Sequence, residues 1–370
     1  MIDSRELGAW LRLTETPQLG RESARKLLAA FGSPQAVIEA TSAARREVVG
    51  RTPAEVLATP PESLDALIAT TLAWLAATDA TEPRDVITLG DPRYPAALID
   101  TADPPLLLYA QGRFELLQAQ AVAIVGSRSP TPQGSDNARA FASHLSQGGL
   151  TVVSGLAMGV DAAAHAGGLE GEASTIAVVG TGLDRVYPRR NLSLAHRIAQ
   201  KGLIVSEYSL GMPPLPPNFP LRNRIIAGLA RGTLVVEAAV QSGSLITARM
   251  ANEAGRDVFA IPGSIHSPQS RGCHALIKQG AKLVETAQDI LEELRWPSAV
   301  SAATTTASAY APNAGDPVLA ALGFDPATLD ALVARTGSSA AELSVRLLDL
   351  ELDGQVARLP GQLFQRLPRA

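Results

Sequence analysis

"AVAIVG" (121–126) is a continuously apolar, β-branched run that leads into the loop "GSRSPT" (126–131). Strands that are apolar along their whole length are buried on both faces of a sheet. Similar runs recur downstream and alternate with segments of helical period, which indicates right-handed βαβ units and an open parallel sheet. The sequence therefore predicts an α/β fold with a Rossmann-like sheet. The further runs are "LTVVSG" (150–155), "TIAVVG" (175–180), "LIVSE" (203–207), "TLVVEA" (233–238) and "DVFAIPG" (257–263).

The segments on either side of this pattern predict two smaller domains. Residues 1–82 are expected to be helical, since Leu7, Trp10 and Leu11 recur at helical spacing. The stretch "TPQLGRESARKLLAAFGS" is reminiscent of SAM or helix-hairpin-helix units, and two interpretations remain open. It is either a contact to a DNA backbone or, as we favour, a packed helical module.

The C-terminal part follows a predicted linker at 297–315, which is rich in Ala, Ser and Thr and carries no charge. The Rossmann-like domain is accordingly placed at 83–296 and the last domain at 316–370. In that last domain, three short helical segments precede "QVARL" and "QLFQRL", which are separated by Pro360-Gly361. Three helices followed by a hairpin predict a winged-helix-like domain whose third helix covers roughly 338–353.

Composition limits the function classes. Of the 370 residues, 46% are hydrophobic and 18% charged, as in globular proteins. Cys273 is the single cysteine, which excludes an internal disulfide framework and a cysteine-based metal cluster. A charged N-terminus and the lack of an 18-residue apolar stretch predict no membrane span and a cytoplasmic location. The net charge of −4 neither proves nor excludes DNA binding, since a local basic cleft can work on an acidic protein.

Glycine-rich loops follow several predicted strands. In an open parallel sheet, ligands bind beyond the carboxyl ends of the strands, where glycine lets the backbone approach and helix N-termini favour anions. Their convergence on one edge favours a phosphate-bearing ligand over simple turn chemistry. The loops are "GSRSPT" (126–131), "SGLAMGVD" (154–161), "GTGLDRVYP" (180–188) and "QSGSLITA" (241–248).

Cofactor motifs are not matched. No Gly-x-x-x-x-Gly-Lys-Ser/Thr sequence is present, which argues against a P-loop ATPase. In "GTGLDR", Arg185 stands where the dinucleotide fingerprint requires Gly or Ala, which argues against NAD. The five histidines form no metal motif. We therefore expect neither a cofactor nor a metal ion.

Arginines and aromatic residues cluster near the predicted crevice. Single-stranded nucleic acid requires positive charge for its phosphates and a flat face for its bases. For each arginine alone, a solvated surface charge is the competing interpretation, and Phe219 could equally be a core residue. The cluster consists of Arg128, Tyr187, Arg189, Arg190, Phe219, Arg222, Asn223 and Arg224.

Acid–base chemistry is weighed against structural roles for the remaining polar residues. His165 follows Asp161 by four residues, which places both on one helical face. The pair could transfer protons, but we favour hydrogen bonds that tie a helix to a loop. Asp184 and Glu207 are expected to anchor loops, and Cys273 to be buried.

The motifs together strongly resemble the DNA processing protein A (DprA, also called Smf) family over about 121–285. The matching motifs are "VAIVGSR", "SGLAMGVDAAAHAGGL", "GTGLDRVYPRRNLSL", "SEYSLGMPPLPPNFPLRNRIIAGLA", "VVEAAVQSGSLITARMANEAGRDVFAIPG" and "GCHALIKQGAKLV".

This resemblance implies a recombination mediator in natural transformation that binds incoming single-stranded DNA, helps to load RecA onto it, forms a homodimer and performs no catalysis. Family site residues carry over to Gly126, Ser127, Arg128, Phe219, Arg222, Asn223 and Arg224. Ser242, Gly243 and Ser244 are added to the expected DNA-binding residues, with Arg189 and Arg190 as possible additional contacts. The family often has lysines around this cleft, whereas this chain has arginines.

Two other functions compete with this interpretation. Related Rossmann-like hydrolases of nucleoside monophosphates carry Pro-Gly-Gly-x-Gly-Thr-x-x-Glu, but here "SGSLITARM" ends in Met250, and the catalytic carboxylate is missing. Nucleotide binding without hydrolysis stays open. A protein-interaction scaffold suits the C-terminal domain, where acidic residues outnumber basic ones by seven to five over 316–370. That domain is therefore predicted not to read duplex DNA, because its charges repel phosphates.

Overall fold

The computed structural model describes residues 2–297, 316–323 and 326–367. Apart from Pro297, the predicted linker at 297–315 lies outside these residues. No helix in the described part of the chain combines the length and the apolar character that crossing a bilayer requires.

The N-terminal part is helical, as predicted. Leu7, Trp10 and Leu11 form the buried face of its first helix and pack in a core with the later helices. Two strands of the neighbouring sheet contribute Val86 and Tyr109 to the same core. The helices therefore share their core with one edge of the sheet. They are α1 (Ser4–Glu15), α2 (Arg21–Phe31), α3 (Pro34–Glu39), α4 (Ser42–Val49), α5 (Arg51–Val56) and α6 (Leu64–Ala76).

The central domain is built on a nine-stranded sheet in the order β1-β2-β6-β5-β4-β3-β7-β8-β9. All neighbouring pairs from β6 to β9 in this order are parallel. The strands are β1 (Arg84–Thr88), β2 (Leu107–Gly112), β3 (Ala121–Gly126), β4 (Thr151–Ser154), β5 (Thr175–Val178), β6 (Leu203–Ser206), β7 (Gly232–Val236), β8 (Asp257–Ala260) and β9 (Lys282–Leu283).

The predicted strands are confirmed, with one correction to the topology. β3 to β8 coincide with the six apolar runs, and β3, β4, β5, β6 and β7 are buried along almost their whole length. The sheet is not purely parallel, however, because β1 pairs with β2 and β2 with β6 in antiparallel fashion. A fully buried strand has the same apolar sequence in either direction, so the pattern did not reveal this edge.

Helices cover both faces of the sheet. Successive residues alternate between faces, so that Val153 of β4 packs under α11 and Val152 under α8 and α9. One face carries α7 (Ala96–Ile99), α11 (Asn218–Leu229), α12 (Gly243–Glu253) and α13 (Arg271–Lys278). The other carries α8 (Pro132–Gln147), α9 (Val160–Gly168), α10 (Leu192–Lys201) and α14 (Ala287–Glu293). Short 3₁₀ helices lie at Phe114–Gln118 and Arg189–Asn191.

The C-terminal part has the predicted arrangement of three helices and a hairpin. The hairpin strands enclose a small core with Leu332, Leu347 and Phe364. A short first strand, which the sequence pattern did not indicate, pairs with the last one and completes a three-stranded sheet. The elements are α15 (Pro317–Leu322), β10 (Ala327–Thr328), α16 (Leu329–Thr336), α17 (Ala340–Leu352), β11 (Val356–Leu359) and β12 (Leu363–Arg366).

Candidate nucleic-acid interface

A crevice of about 420 Å³ opens beyond the carboxyl ends of β3, β4 and β7. β3 is the strand at which the chain order reverses: β4, β5 and β6 lie on one side of it and β7, β8 and β9 on the other. Such a switch point leaves a gap between the loops that leave neighbouring strands, and ligands of open α/β sheets bind there.

Most of the predicted site residues meet in this crevice. The loop after β3 and the starts of α11 and α12 supply them, although these segments span more than one hundred positions of the sequence. Arg224, Arg189 and Arg190 are not among the lining residues. The predicted residues that do line the crevice are Gly126, Ser127, Arg128, Phe219, Arg222, Asn223, Ser242, Gly243 and Ser244.

Arg128 is an exposed cation in this crevice. Its side chain forms no hydrogen bond or ion pair with any residue in the described ranges. The loop that carries it is nevertheless held firmly. The backbone N–H of Val160 donates to the Ser127 carbonyl at 3.1 Å, and the side-chain Nε2 of Gln269 donates to the Ser129 carbonyl at 3.0 Å. A free charge on a fixed backbone is pre-organised for an anionic ligand.

Glu237 also braces this loop, although its role was not predicted. Its carboxylate accepts hydrogen bonds from the backbone N–H of Thr131 at 2.8 Å and from the Thr131 hydroxyl at 2.5 Å. Glu237 adopts a left-handed backbone conformation with φ 52° directly after β7. The sequence shows Glu237 as an acidic residue at the end of an apolar strand. It does not indicate the partner, because Thr131 lies 106 positions away in the sequence.

The role expected for Arg222 requires correction. Arg222 lies at the crevice, but its side chain is buried, and Nη1 donates to the carbonyls of Gly155, at 2.6 Å, and Val178. Burial lowers the pKa of Arg222 to about 10, so it stays charged at neutral pH. A Cβ atom on Gly155 would lie 2.1 Å from Nη2, which explains why glycine occupies this position. Arg222 therefore supports the crevice floor rather than offering a free cation to a phosphate.

Asn223 lies beside Arg222 at the wall of the crevice. Its side-chain oxygen accepts a hydrogen bond from Arg222 Nε at 3.0 Å, which fixes the orientation of the amide. The amide nitrogen of Asn223 can therefore donate to a ligand in the crevice.

The expectation for Arg224 is also corrected. Its guanidinium group faces away from the crevice and pairs with Asp103 and Glu207, at 2.9 Å and 2.5 Å. Only 13% of its side chain is exposed. An arginine between two carboxylates is not available for a phosphate, and sequence proximity to Arg222 could not reveal this.

Two aromatic rings lie at the mouth of the crevice. The ring centroids of Tyr187 and Phe219 are 5.5 Å apart with their planes tilted by 38°. Phe219 is partly buried and lines the crevice, whereas Tyr187 is 49% exposed. Arg189 and Arg190 follow Tyr187 and are exposed as well. The pair offers a flat face next to positive charge.

The start of α12 forms another wall. The Ser242 side chain caps the helix by accepting from the Ser244 amide at 3.3 Å, and the two hydroxyl groups lie 2.6 Å apart. The positive end of the helix dipole favours an anion here.

Asp161 and His165 have structural roles, as favoured from the sequence. The Asp161 carboxylate accepts from the amides of Gly155 and Ala157, at 3.1 Å and 3.3 Å, and burial raises its pKa. His165 Nε2 accepts from the Leu156 amide at 3.1 Å, and Nδ1 lies 2.7 Å from the Thr175 hydroxyl. The two side chains thus hold the same loop by separate bonds.

The structural positions expected for Asp184, Glu207 and Cys273 are also confirmed. Asp184 accepts from the Gly211 amide at 2.8 Å, Glu207 pairs with Arg224, and Cys273 is buried. Within residues 2–297, 316–323 and 326–367, no three His, Cys, Asp or Glu residues converge in a way that could hold a metal ion.

Comparisons with known families give two matches along the chain. A model described as DNA recombination-mediator protein A matches residues 85–295. A second, described as DprA winged helix domain, matches residues 301–362. Together they cover the Rossmann-like domain and most of the C-terminal one.

Similar proteins extend this match. Protein Smf of Escherichia coli (strain K12) is 38% identical over 370 residues, which covers 98% of this chain and 96% of that protein. DNA processing protein DprA of Streptococcus pneumoniae is 50% identical over 206 residues, covering 56% of this chain and 73% of that protein.

Two solved structures share the fold. The X-ray structure of DprA from Streptococcus pneumoniae has a TM-score of 0.67 and 38% identity, covering 79% of this chain and 98% of the other. A structure of DprA from Helicobacter pylori, described for its single-stranded DNA binding mode, has a TM-score of 0.52 and 31% identity, covering 57% of this chain and 95% of the other.

The burial of neutral His165 predicts a pH dependence of stability. Burial lowers its pKa to about 3, below the value of about 6.5 for an unfolded chain. As pH falls through this interval, the unfolded state binds a proton that the folded state excludes, and stability is lost. Between about pH 7.5 and about pH 5, the wild type should lose about 2 kcal/mol more unfolding free energy than His165→Gln.

Urea denaturation at both pH values measures this difference. Glutamine can still accept and donate hydrogen bonds at this position but does not titrate, so it is the matched control. Equal losses for the two proteins would contradict the buried, neutral state of His165.

Proposed function

Because the chain belongs to the DNA recombination-mediator protein A family, also called DprA or Smf, we propose that it binds single-stranded DNA in the crevice at β3. The observation that carries this proposal is Arg128, an unpaired cation on a braced loop at the start of the crevice. The biological role would be that of a recombination mediator in natural transformation.

Local charge explains how an acidic chain can bind a polyanion. Arg128, Arg189 and Arg190 are exposed near the crevice, while Arg222 adds a buried positive charge beneath it. Phosphate binding depends on the cations that the strand actually contacts, and releases the counterions of those phosphates. The net charge of −4 is carried by the whole chain and does not describe this surface.

Aromatic stacking would supply the rest of the affinity. Phe219 and Tyr187 form a tilted pair beside the cations, and every base presents a flat face to such rings. Stacking is tolerant of sequence, which suits a protein that receives DNA of any sequence.

Binding without catalysis is part of the proposal. Asp161 and His165 are engaged in structural hydrogen bonds, and Met250 occupies the position at which a nucleotide hydrolase of this fold needs its glutamate. Hydrolysis of nucleoside monophosphates is therefore not favoured. Hydrolysis of a nucleoside monophosphate or of single-stranded DNA by the purified protein, at a rate proportional to its concentration, would refute this part.

The two modes of contact predict different responses to substitution. Arg128→Ala should weaken binding of an oligothymidylate and reduce the slope of log K against log salt by roughly 0.7, the share of one phosphate. Phe219→Ala should cost about 1–3 kcal/mol of binding free energy and leave that slope unchanged, since stacking releases no counterion. Fluorescence anisotropy at several salt concentrations measures both quantities.

Arg139→Ala is the matched control, because Arg139 is an exposed residue of α8 that pairs with Glu170 after α9 and does not line the crevice. It should change neither affinity nor slope. Unchanged binding by a folded Arg128→Ala variant would remove the crevice from the proposal. A loss of thermal stability with normal affinity would show that Phe219 is only a packing residue.

RecA loading in the cytoplasm is the finer function that the family resemblance implies. A protein that holds single-stranded DNA in an open crevice leaves the remaining strand accessible to a recombinase. Binding of the purified chain to purified RecA, and faster RecA assembly on coated single strands, would test this role. If neither occurs, RecA is not a partner.

The edge of the sheet at β9 is where we propose the homodimer interface. At the opposite edge, Val86 of β1 packs against the N-terminal helices. β9 is the last strand on its side, and Leu283 is 47% exposed there. An edge strand presents unpaired backbone groups that can pair with a second copy, and a two-fold axis makes such a contact self-complementary.

A charge at this edge should separate the copies. We expect the wild type to be dimeric and Leu283→Arg to be monomeric, because the substitution buries a charge in a symmetric contact. Leu192→Arg places the same charge at a comparably exposed leucine of α10 and should stay dimeric. Light scattering at tens of micromolar distinguishes the species; a dimeric Leu283→Arg protein would place the interface elsewhere.

The C-terminal domain is proposed to contact protein rather than duplex DNA. In α17 the cation Arg346 is already paired with Asp316 and lies 3.7 Å from Asp349. The exposed surface of this helix carries Val345, Leu348 and Leu352, with exposures of 64%, 55% and 80%. A helix that enters the DNA major groove needs cations toward the phosphates, and this helix shows apolar side chains among carboxylates.

Deletion of residues 300–370 tests this assignment. Affinity for single-stranded DNA should stay within about threefold of that of the full chain, since no phosphate contact is removed. Duplex binding should be equally weak in both proteins. If the full chain bound duplex DNA far more tightly than the shortened one at physiological salt, the charge argument would be wrong.

A further inference from the structure

Asp103 connects two parts of the chain that are far apart in sequence. It lies in the loop between α7 and β2, and three arginines donate to its carboxylate. Arg21 Nε and Arg25 Nη1 reach it from α2 at 2.9 Å and 2.6 Å, and Arg224 Nε reaches it from α11 at 2.9 Å.

A second carboxylate completes this group. Glu207 follows β6 and accepts from Arg224 Nη2 at 2.5 Å, while Arg21 Nη1 lies 3.5 Å from its other oxygen. Glu207 and Arg224 are 10% and 13% exposed, so both charges are largely removed from water. Asp103, Glu207, Arg21, Arg25 and Arg224 are called the Asp103 cluster below.

The two carboxylates offset two of the three positive charges in the cluster. Three guanidinium groups surround two acids, and each acid contacts more than one of them. Burial alone would raise the pKa of Asp103, but hydrogen bonds from Arg224, Arg21 and Arg25 hold it well below its usual range. Asp103 is therefore ionised wherever the protein is folded near neutral pH.

The cluster lies directly behind the proposed DNA-binding helix. Arg224 follows Asn223, and the same first turns of α11 carry Phe219 and Arg222 into the crevice. The start of α11 is held by Asn218, whose side-chain Nδ2 donates to the Gly180 carbonyl at 3.1 Å. The Asp103 cluster is thus the attachment on the other side of this helix, toward α2.

We infer that Asp103 is a positioning residue for single-strand binding: by joining α2 to α11 it keeps Phe219 and Asn223 aligned in the crevice. The N-terminal helices then support DNA binding without touching the strand. This inference rests on the proposed function of the crevice, and it goes beyond it by giving the N-terminal helices a part in binding.

Simple electrostatics and this inference predict opposite results when Asp103 is replaced. Removing a negative charge from a DNA-binding protein strengthens attraction to phosphates. Removing Asp103 from the cluster also leaves three cations around one carboxylate, and breaking a buried ion group by deleting one partner is costly. The first turns of α11 would shift to relieve that repulsion, and binding would weaken.

The experiment compares Asp103→Ala and Asp103→Asn with the full-length wild type, by fluorescence anisotropy with an oligothymidylate. We expect Asp103→Ala to bind about tenfold more weakly, the effect of about 1.4 kcal/mol. The slope of log K against log salt should equal that of the wild type, because no phosphate contact is lost. Asp103→Asn keeps the shape of the side chain but removes its charge, and it should also weaken binding.

Two further variants make the result specific. Asp91→Ala removes a carboxylate that pairs with Arg93 in the same way but does not contact α11, and it should not weaken binding. Combining Asp103→Ala with Phe219→Ala should weaken binding less than the product of the single effects, since Asp103 acts through Phe219.

Each outcome decides the inference. Wild-type affinity in a folded Asp103→Asn protein, tighter binding, or additive effects with Phe219→Ala would overturn it. A drop in melting temperature with unchanged affinity would show that the cluster is only structural. If the wild type itself fails to bind single-stranded DNA, the proposed function fails first and the crevice has another ligand.

Discussion

The buried guanidinium group of Arg222 is the interaction on which the crevice depends. It takes backbone carbonyls at the ends of β4 and β5 as its acceptors and so ties α11 to the two strands below it. These carbonyls would otherwise lie at the bottom of a cleft with unsatisfied acceptors, which is costly in a buried site. The contact between Arg222 and these carbonyls requires glycine at position 155. It fixes the position of α11 relative to the ends of β4 and β5.

The arginines of this chain divide into two groups that the sequence does not distinguish. Arg222 and Arg224 are buried and satisfied by carbonyls or carboxylates, and they organise the scaffold. Arg128 and Arg189 are exposed to solvent. Under the proposed function, only the second group would contribute counterion release, so the electrostatic part of DNA binding would rest on few cations. An acidic protein can bind DNA when those few are held in fixed positions.

The N-terminal helices pack against one edge of the sheet and are also linked to α11 of the central domain. Val86, Tyr109 and Trp10 share one core, so the helices form a continuation of the central domain rather than an independent attachment. The Asp103 cluster extends this contact to α11 through charge instead of apolar surface. The opposite edge, at β9, is left without such a cover in the described residues, and the C-terminal helix α17 exposes apolar side chains. These two surfaces are where contacts with other chains are expected.

Sequence alone determined the strands from β3 to β8, the winged-helix order and three of the four loops expected at the crevice, since apolar runs, glycines and helical periods are local properties. It also favoured the structural roles of Asp161 and His165. Only the tertiary structure decided that β1 and β2 run antiparallel, that Glu237 braces the Arg128 loop, and that Arg222 and Arg224 are occupied. The physical reason is the same in each case. The charge and the apolar character of a residue are written in the sequence, but its hydrogen-bond partner lies far along the chain, and the fold alone brings the two within bonding distance.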